Sequence, residues 1–500
     1  MVGAALLAAL PACGKKTDET LRAAGITPAS ALGFLSVSLD PSIEQKRNMI
    51  GLAKRFPEAE VKDDFDETKN ELLADILAEA DLDYEEDVKP WLGSELALAV
   101  LPGTNAPQPL IAVLIEQDDA DAARAAMEKA SKKAEAEGDG PITFEIVDDF
   151  VIATQDDDPA VAKQTVEAFV AQSKKDEGDL SSSREFTEVV DELHGDRLIL
   201  GWFDTKDAIA EMGRVMEVAD FPLEGIMKYA VPTAFDLHAA KSAAVLEFVA
   251  RTTSEAKTGK PSLTDGLPAN SFGVMTVFDI GTIAREALGA LGGTQGDILA
   301  IIREETGLDL DADLLSWMGG EAVLVAAPGS GSPIPQFALV VEPTDRAAAE
   351  AAIPKARELL ARNAEVTLVE RQIAGTTAYV LPRPLEGGVQ PAMALFPDRF
   401  VVASTPSYLE QVAKKASPSL AESDAYQSVL GEASSDATRF QMVFDIDAIR
   451  EAFESFLVTD DNRAEYEADI KPNVEPFDAV GMVLRRDGKF DRAELKVTFD

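Results

Sequence analysis

One stretch of this chain occurs twice, and that recurrence constrains the fold more than any single motif. WLGSELALAVLP (Trp91–Pro102) aligns without a gap on WMGGEAVLVAAP (Trp317–Pro328), an offset of 317 − 91 = 226. Trp, Gly, Glu, Leu and Pro coincide. The same offset carries PLIAVLIEQDDADAARAAM, from Pro109, onto PQFALVVEPTDRAAAEAAI, from Pro335. Upstream, PASALGFLSVSLD from Pro28 matches PANSFGVMTVFD from Pro268, with Gly33 on Gly273. Downstream, DDFVIAT ending at Thr154 matches PDRFVVAS ending at Ser404, LSSSREF from Leu180 matches LAESDAY from Leu420, and GWFDTKDAI from Gly201 echoes MVFDIDAI from Met442. Collinear matches of this kind read as one supersecondary unit used twice. The expected domains are residues 28–255 and 264–500, with the boundary in the polar stretch Thr252–Pro268.

Spacing says where the copies differ. Asp40 to Trp91 is 51 residues and Asp279 to Trp317 is 38, so the first copy carries extra chain around KRFPEAEVKDDFDETK. The second copy gains before Phe150/Phe400, where the offset grows from 226 to 250 and QIAGTTAYVLP fits one more hairpin.

Each copy reads as strand, helices, strand pair, long helix, hairpin, helix and closing strands. Leu96, Leu98 and Val100 alternate with Ala97, Ala99 and Leu101, which predicts a strand buried on both faces, one of them under a helix. Asp118/Asp119 and Thr344/Asp345 are placed to cap the long helices, and Asp158-Pro159 and Thr405-Pro406 to cap the next ones. Arg486-Asp487-Gly488-Lys489 signals a hairpin turn. Strands joined by short turns, as in LALAVLPGTNAPQPLIAVLIE, favour antiparallel pairing. The predicted class is α+β, two tandem copies of a unit with a largely antiparallel sheet packed by helices.

The 89 Asp+Glu outnumber the 46 Lys+Arg, for a formal net charge of -43 spread along the whole length. Such a field excludes nucleic-acid binding by phosphate contacts. It can attract cations or cationic partners, or serve solubility; acidic residues distributed along helices read as solvated faces. With one cysteine and two histidines, disulfides and a cysteine zinc cluster are excluded as the source of stability.

That cysteine, Cys13, follows the apolar run MVGAALLAALPA and resembles the end of a bacterial lipoprotein signal peptide. Leu10 and Ala12 match the minus-three and minus-one positions of the lipobox. The competing reading is a buried cysteine ending a short helix; its being the sole cysteine of the chain favours lipidation. The expected arrangement is a signal segment over residues 1–13, a polar tether over 14–27, and attachment through Cys13 to the outer side of the cell membrane. No stretch reaches the ~20 apolar residues a spanning helix requires.

The pattern PASALGFLSVSLDPSIEQK, then D-x-x-x-W-L-G-x-E-L-A-L-A-V, then YEADIKPNVEPFDAVGMVLRRDG resembles the bacterial "domain of unknown function 3352" family, from about Pro28 to Asp500. The resemblance implies a secreted or membrane-anchored protein and supplies no catalytic residue.

His194 (DELHGDR) and His238 (FDLHAAK) have no counterpart in the other copy, no G-x-S-x-G occurs, and both read as surface or turn residues. Gly289–Gly296 (GALGGTQG) matches no phosphate loop and reads as a helix-to-helix turn. Asp81, Asp83, Glu85 and Asp87 before Trp91, and Asp309, Asp311 and Asp313 before Trp317, resemble the first calcium ligands of an EF-hand. They lack its glycine and closing glutamate, so helix capping is the better reading. Trp91, Gly93, Trp317 and Gly319 read as structural signature residues, with ring packing in a core preferred to ligand stacking. No metal, cofactor or catalytic residue is expected. The predicted function is a non-enzymatic, membrane-anchored extracytoplasmic lipoprotein that binds a partner or an apolar or lipid ligand. The alternatives are an envelope assembly factor without a small ligand and a carboxylate-based hydrolase.

Overall fold

Hydrogen-bonding side chains mark the helix starts where the sequence placed them. In the computed structural model, Asp119 accepts from the amides of Asp121 and Ala122, Asp158 from Ala160, and Thr405 from Tyr408. Asp345 accepts from Ala348 at 3.0 Å. The structure describes residues 21–57, 59, 61–78, 82–103, 108–175, 178–216, 227, 229–290, 303–329, 334–363 and 366–500. Cys13 and most of the Gly289–Gly296 turn lie outside them. The chain divides into two compact units, Met1–Phe221 with Ala230–Arg251, and Pro222–Tyr229 with Thr252–Asp500.

The first unit contains β1 (Gly33–Ser38), β2 (Leu92–Leu101), β3 (Leu110–Gln117), β4 (Thr143–Val147), β5 (Phe150–Thr154), β6 (Ile199–Phe203), β7 (Thr233–Ala240) and β8 (Ala243–Arg251). Their order across the sheet is β4-β5-β3-β2-β1-β6-β7-β8, with every pair antiparallel. The second unit contains β9 (Gly273–Phe278), β10 (Glu321–Ala327), β11 (Gln336–Val341), β12 (Val369–Ile373), β13 (Thr376–Val380), β14 (Ala392–Leu395), β15 (Phe400–Ala403), β16 (Thr438–Asp445), β17 (Phe477–Asp487) and β18 (Phe490–Phe499). Its order is β12-β13-β14-β15-β11-β10-β9-β16-β17-β18, again antiparallel throughout. The protein is α+β.

β12 and β13 form the extra hairpin read from QIAGTTAYVLP. Its two-residue turn needs left-handed backbone, which Ala374 (φ 48) and Gly375 (φ 77) adopt. In the first unit the longer stretch between β1 and Trp91 holds two helices, Ile43–Ala53 and Phe65–Ala78, the first of which corresponds to the helix Ile280–Ala290 that follows β9 in the second unit.

One sheet face carries the main core. In the second unit Val323, Val325, Ala338 and Val340 pack with Tyr408, Leu409 and Val412 of the helix Pro406–Ala413 and with Tyr426 and Val429 of Asp424–Val429. The opposite face is covered at one end only. Trp317 and the long helix Arg346–Asn363 lie over Ala322, Val341 and Leu395, and in the first unit Trp91 and the helix Ala120–Glu137 lie over Val151 and Ala153. This corrects the expectation of a strand buried on both faces. Ala97, Ala99 and Leu101 are buried, whereas Leu96, Leu98 and Val100 are partly open, because the helix covers the Trp end of this face and leaves the rest uncovered.

A second correction concerns the tether. Residues Arg22–Ile26 form a short helix in which Ala23 and Ala24 are fully buried, followed by a fully buried Thr27. The apolar positions of LRAAGIT make this segment part of the domain, and not a solvated linker.

Candidate functional site

The signature residues are built around a wide helical turn that recurs before each Trp. The amide of Lys89 donates to the Tyr84 carbonyl (2.7 Å), and that of Ser316 to Asp311 (2.9 Å), five residues back in both cases. Asp83 caps the first turn through the Glu86 amide and Asp309 caps the second through Ala312. Asp87 accepts from the Asp83 amide and pairs with Lys129 at 2.6 Å; Asp313 accepts from Asp309 and pairs with Lys355. The Lys129 and Lys355 ammonium groups hold the carboxyls of Asp87 and Asp313 below the usual range. These carboxylates point at amides and lysines and do not converge on one point. Among the described residues, the carboxylates that do converge are Asp447, Asp478 and Asp500, remote in sequence from both motifs.

Both indoles are core residues, each 3% exposed. The Trp91 N–H donates to the Asp87 carbonyl (2.6 Å) and the Trp317 N–H to Asp313 (3.0 Å). Their own carbonyls accept from Asp118 (2.8 Å) and Thr344 (2.9 Å), locking the turn to the start of the long helix. Gly93 is required by close approach, since a Cβ there would meet the Glu116 side chain at 2.6 Å. In the second unit the tightest position is Gly320, where a Cβ would meet the Glu342 carbonyl oxygen at 2.4 Å, whereas one on Gly319 would find ordinary contact.

A buried glutamate follows in each unit. Glu95 is 4% exposed and accepts from the Ser36 hydroxyl (2.7 Å) and the Ala23 amide (3.1 Å). Glu321 is 1% exposed and accepts from the Ser262 amide and hydroxyl and from the Leu263 amide. Each fastens the segment that leads into its unit's first strand. Burial pushes the Glu95 carboxyl up to about 7 and raises that of Glu321. The coincidence of Glu95 and Glu321 was visible in the aligned motif; that each carboxylate is capped by backbone was not.

The two histidines come together. Their rings stack with centroids 4.7 Å apart and planes 22° from parallel. Asp236, fully buried, accepts from the His194 amide (3.1 Å) and faces His238 Nδ1 at 2.9 Å. No serine hydroxyl bonds either ring among the described residues. A cleft of 430 Å³ in the first unit lies beside Trp202 and is walled by Glu185, Glu188, Asp204, Asp207, Lys206 and Arg251. Its walls mix these charged residues with apolar ones such as Val189 and Val231 and hold no histidine.

The open part of the second sheet face is apolar in both units. Phe444, Gly273, Ala326 and Phe337 form one rung across β16-β9-β10-β11, and Met275 stands opposite Leu324 in the next. Met275, Leu324, Phe337 and Phe444 are 37%, 46%, 44% and 36% exposed. The first unit repeats the arrangement in Phe203, Gly33, Val100 and Ile111, with Leu35 opposite Leu98; Ile111 is 53% exposed. In the second unit Gly273 leaves room for Phe444, whose ring would lie 3.3 Å from a Cβ there. Further along the same face Phe203, Phe235 and Phe248 pack ring against ring, 6.3 and 5.6 Å apart.

A family model described as "Protein of unknown function (DUF3352)" matches residues 1–199 and 267–484. The chain belongs to this family. The matched segments of the DUF3352 protein include both Trp-Gly motifs, both buried glutamates and the rung residues named above other than Phe203. No curated protein matches it. Among solved structures, crystal form IV of TP0453 is 9% identical over 46% of this chain and 76% of that one, with a TM-score of 0.24. Crystal form III of the same protein is 9% identical over 48% and 92%, also at 0.24. Likeness this slight carries over neither fold nor function.

Proposed function

We propose that this DUF3352 protein consists of two tandem copies of one α+β unit, held at the outer side of a membrane through lipid on Cys13, and that it binds an apolar or lipid ligand without catalysing a reaction. One observation carries the ligand: the uncovered sheet face keeps large apolar side chains at matched positions in both units (Leu35/Met275, Leu98/Leu324, Ile111/Phe337, Phe203/Phe444). Single exposed apolar residues are ordinary on a protein surface, whereas a contiguous set repeated at matched positions is not. Eight apolar residues at four matched positions therefore favour a ligand over a purely architectural role. The Trp-Gly residues and the acidic residues before them serve capping, packing and ion pairing, so they support a scaffold and not a reaction centre.

Native mass spectrometry of the detergent-extracted protein is expected to show a co-purifying adduct. Leu324→Glu with Leu98→Glu should lower its occupancy by at least about tenfold, because a carboxylate against an apolar ligand costs more than about 1.4 kcal/mol. A bare mass in the unmodified protein would remove the ligand from the proposal. The anchor is tested separately: Cys13→Ala should transfer the protein from the membrane fraction to the medium, and retention in membranes would sink it.

A further inference from the structure

The helix Ile446–Leu457 has no fully buried residue, although its apolar side chains follow helical spacing. Ile446 and Ile449 lead into Phe453, Phe456 and Leu457 on one side. Phe453 is 47% exposed, Phe456 44% and Leu457 57%. The chain after it folds back: Asn462 Nδ2 donates to the Leu457 carbonyl (3.0 Å), and the Tyr466 ring lies 6.1 Å from that of Phe453. One turn beyond Tyr466, Ile470 is 49% exposed. The result is a fixed hairpin of helices with an uncovered apolar stripe.

The charge around the stripe identifies what it fits. Between Ile446 and Glu475 there are nine carboxylates and three cations. All three cations already face carboxylates of the same hairpin, Arg450 at Asp447, Arg463 at Glu467 and Lys471 at Glu454. An apolar stripe inside an excess of negative charge repels anionic headgroups and attracts cations. We propose that this hairpin is a docking surface for a basic amphipathic helix of another protein, which lays its apolar side on Phe453, Phe456 and Leu457 and sets Lys or Arg against the acidic rim. The residues of this surface are not those of the sheet face, and the proposal needs neither that face's ligand nor the anchor.

The probe is a Leu/Lys amphipathic peptide of about 18 residues, or five helical turns, titrated against the full-length Cys13→Ala chain and followed by fluorescence anisotropy. It is expected to bind at least about tenfold more tightly than the same peptide with Glu for Lys. Phe453→Ser with Phe456→Ser should weaken it at least about tenfold while the thermal melt stays that of the parent. Leu324→Glu should leave it unchanged. Should the double serine variant melt early, Asp460→Asn with Asp461→Asn supplies the test, since these exposed changes alter only the rim and should weaken binding about threefold. Binding that ignores Phe453, Phe456 and the rim overturns the proposal. So does preference for phosphatidylglycerol vesicles over the peptide, which would make the stripe a membrane surface.

Discussion

Trp317→Ala is expected to destabilise the second unit by about 3–5 kcal/mol, the range for removing a large buried aromatic side chain. The ring is almost wholly enclosed, packs edge-on against Phe400 at 5.6 Å, and its N–H is the partner of the Asp313 carbonyl. Removing it empties the space between the sheet and the helix Arg346–Asn363 and frees the wide turn that carries Asp309 and Asp313. Urea denaturation followed by circular dichroism checks this, with Trp91→Ala expected to act in the same way on the first unit. Trp317→Phe should recover much of the loss by filling most of the space without the hydrogen bond. A Trp317→Ala protein as stable as the parent would show that the ring is not a core residue.

The second large effect is on pH dependence. Glu95 has an ordinary carboxyl value of 4.5 and is pushed up to about 7 in the fold, chiefly by burial. Between those values the folded protein holds a proton that the unfolded chain has released. The contribution is therefore complete below pH 4.5 and lost as pH rises through 7, by about 3 kcal/mol when ionisation is complete. Glu321 is shifted in the same direction by the same cause. Glu95→Gln keeps one oxygen to accept from the Ala23 amide, turns its NH2 toward the Ser36 hydroxyl oxygen, which can accept, and removes the charge. Its stability relative to the parent is expected to rise between pH 5 and pH 8, and Glu95→Gln with Glu321→Gln should show the larger rise. A difference that stays constant with pH, or that favours the parent at pH 8, would mean that the carboxylate is better stabilised by its amides than burial implies. Glu95 fastens the segment Arg22–Thr27 ahead of β1, so the loss acts on the packing of that segment.

Legibility in the sequence followed the range of each interaction. The caps at Asp119, Asp158 and Thr405 were readable because donor and acceptor lie two or three residues apart. The β12–β13 hairpin was readable because its two strands and turn are contiguous. The acidic residues before the two tryptophans read as caps, and Asp83 and Asp309 cap in the structure, yet the lysines that neutralise Asp87 and Asp313 lie 42 residues on and carry no local signal. The histidines looked unrelated because a turn and a strand meet only when β6 pairs with β7.

By itself the sequence determined the order of elements, the matched positions in the two units, the antiparallel preference of turn-linked strands and which side chains share a strand face. Only the tertiary structure decided which faces are covered. Alternation assigns Leu96, Leu98 and Val100 to one side of β2, but whether a helix lies over them depends on where that helix crosses the sheet. In both units the long helix covers the Trp end and leaves the other end bare. Tertiary packing likewise turned residues Arg22–Thr27 from tether into domain, because groups that receive them lie far along the chain, Glu95 some 72 residues beyond Ala23 and Leu180 further still. Local periodicity records what a side chain faces away from; burial records what arrives to meet it.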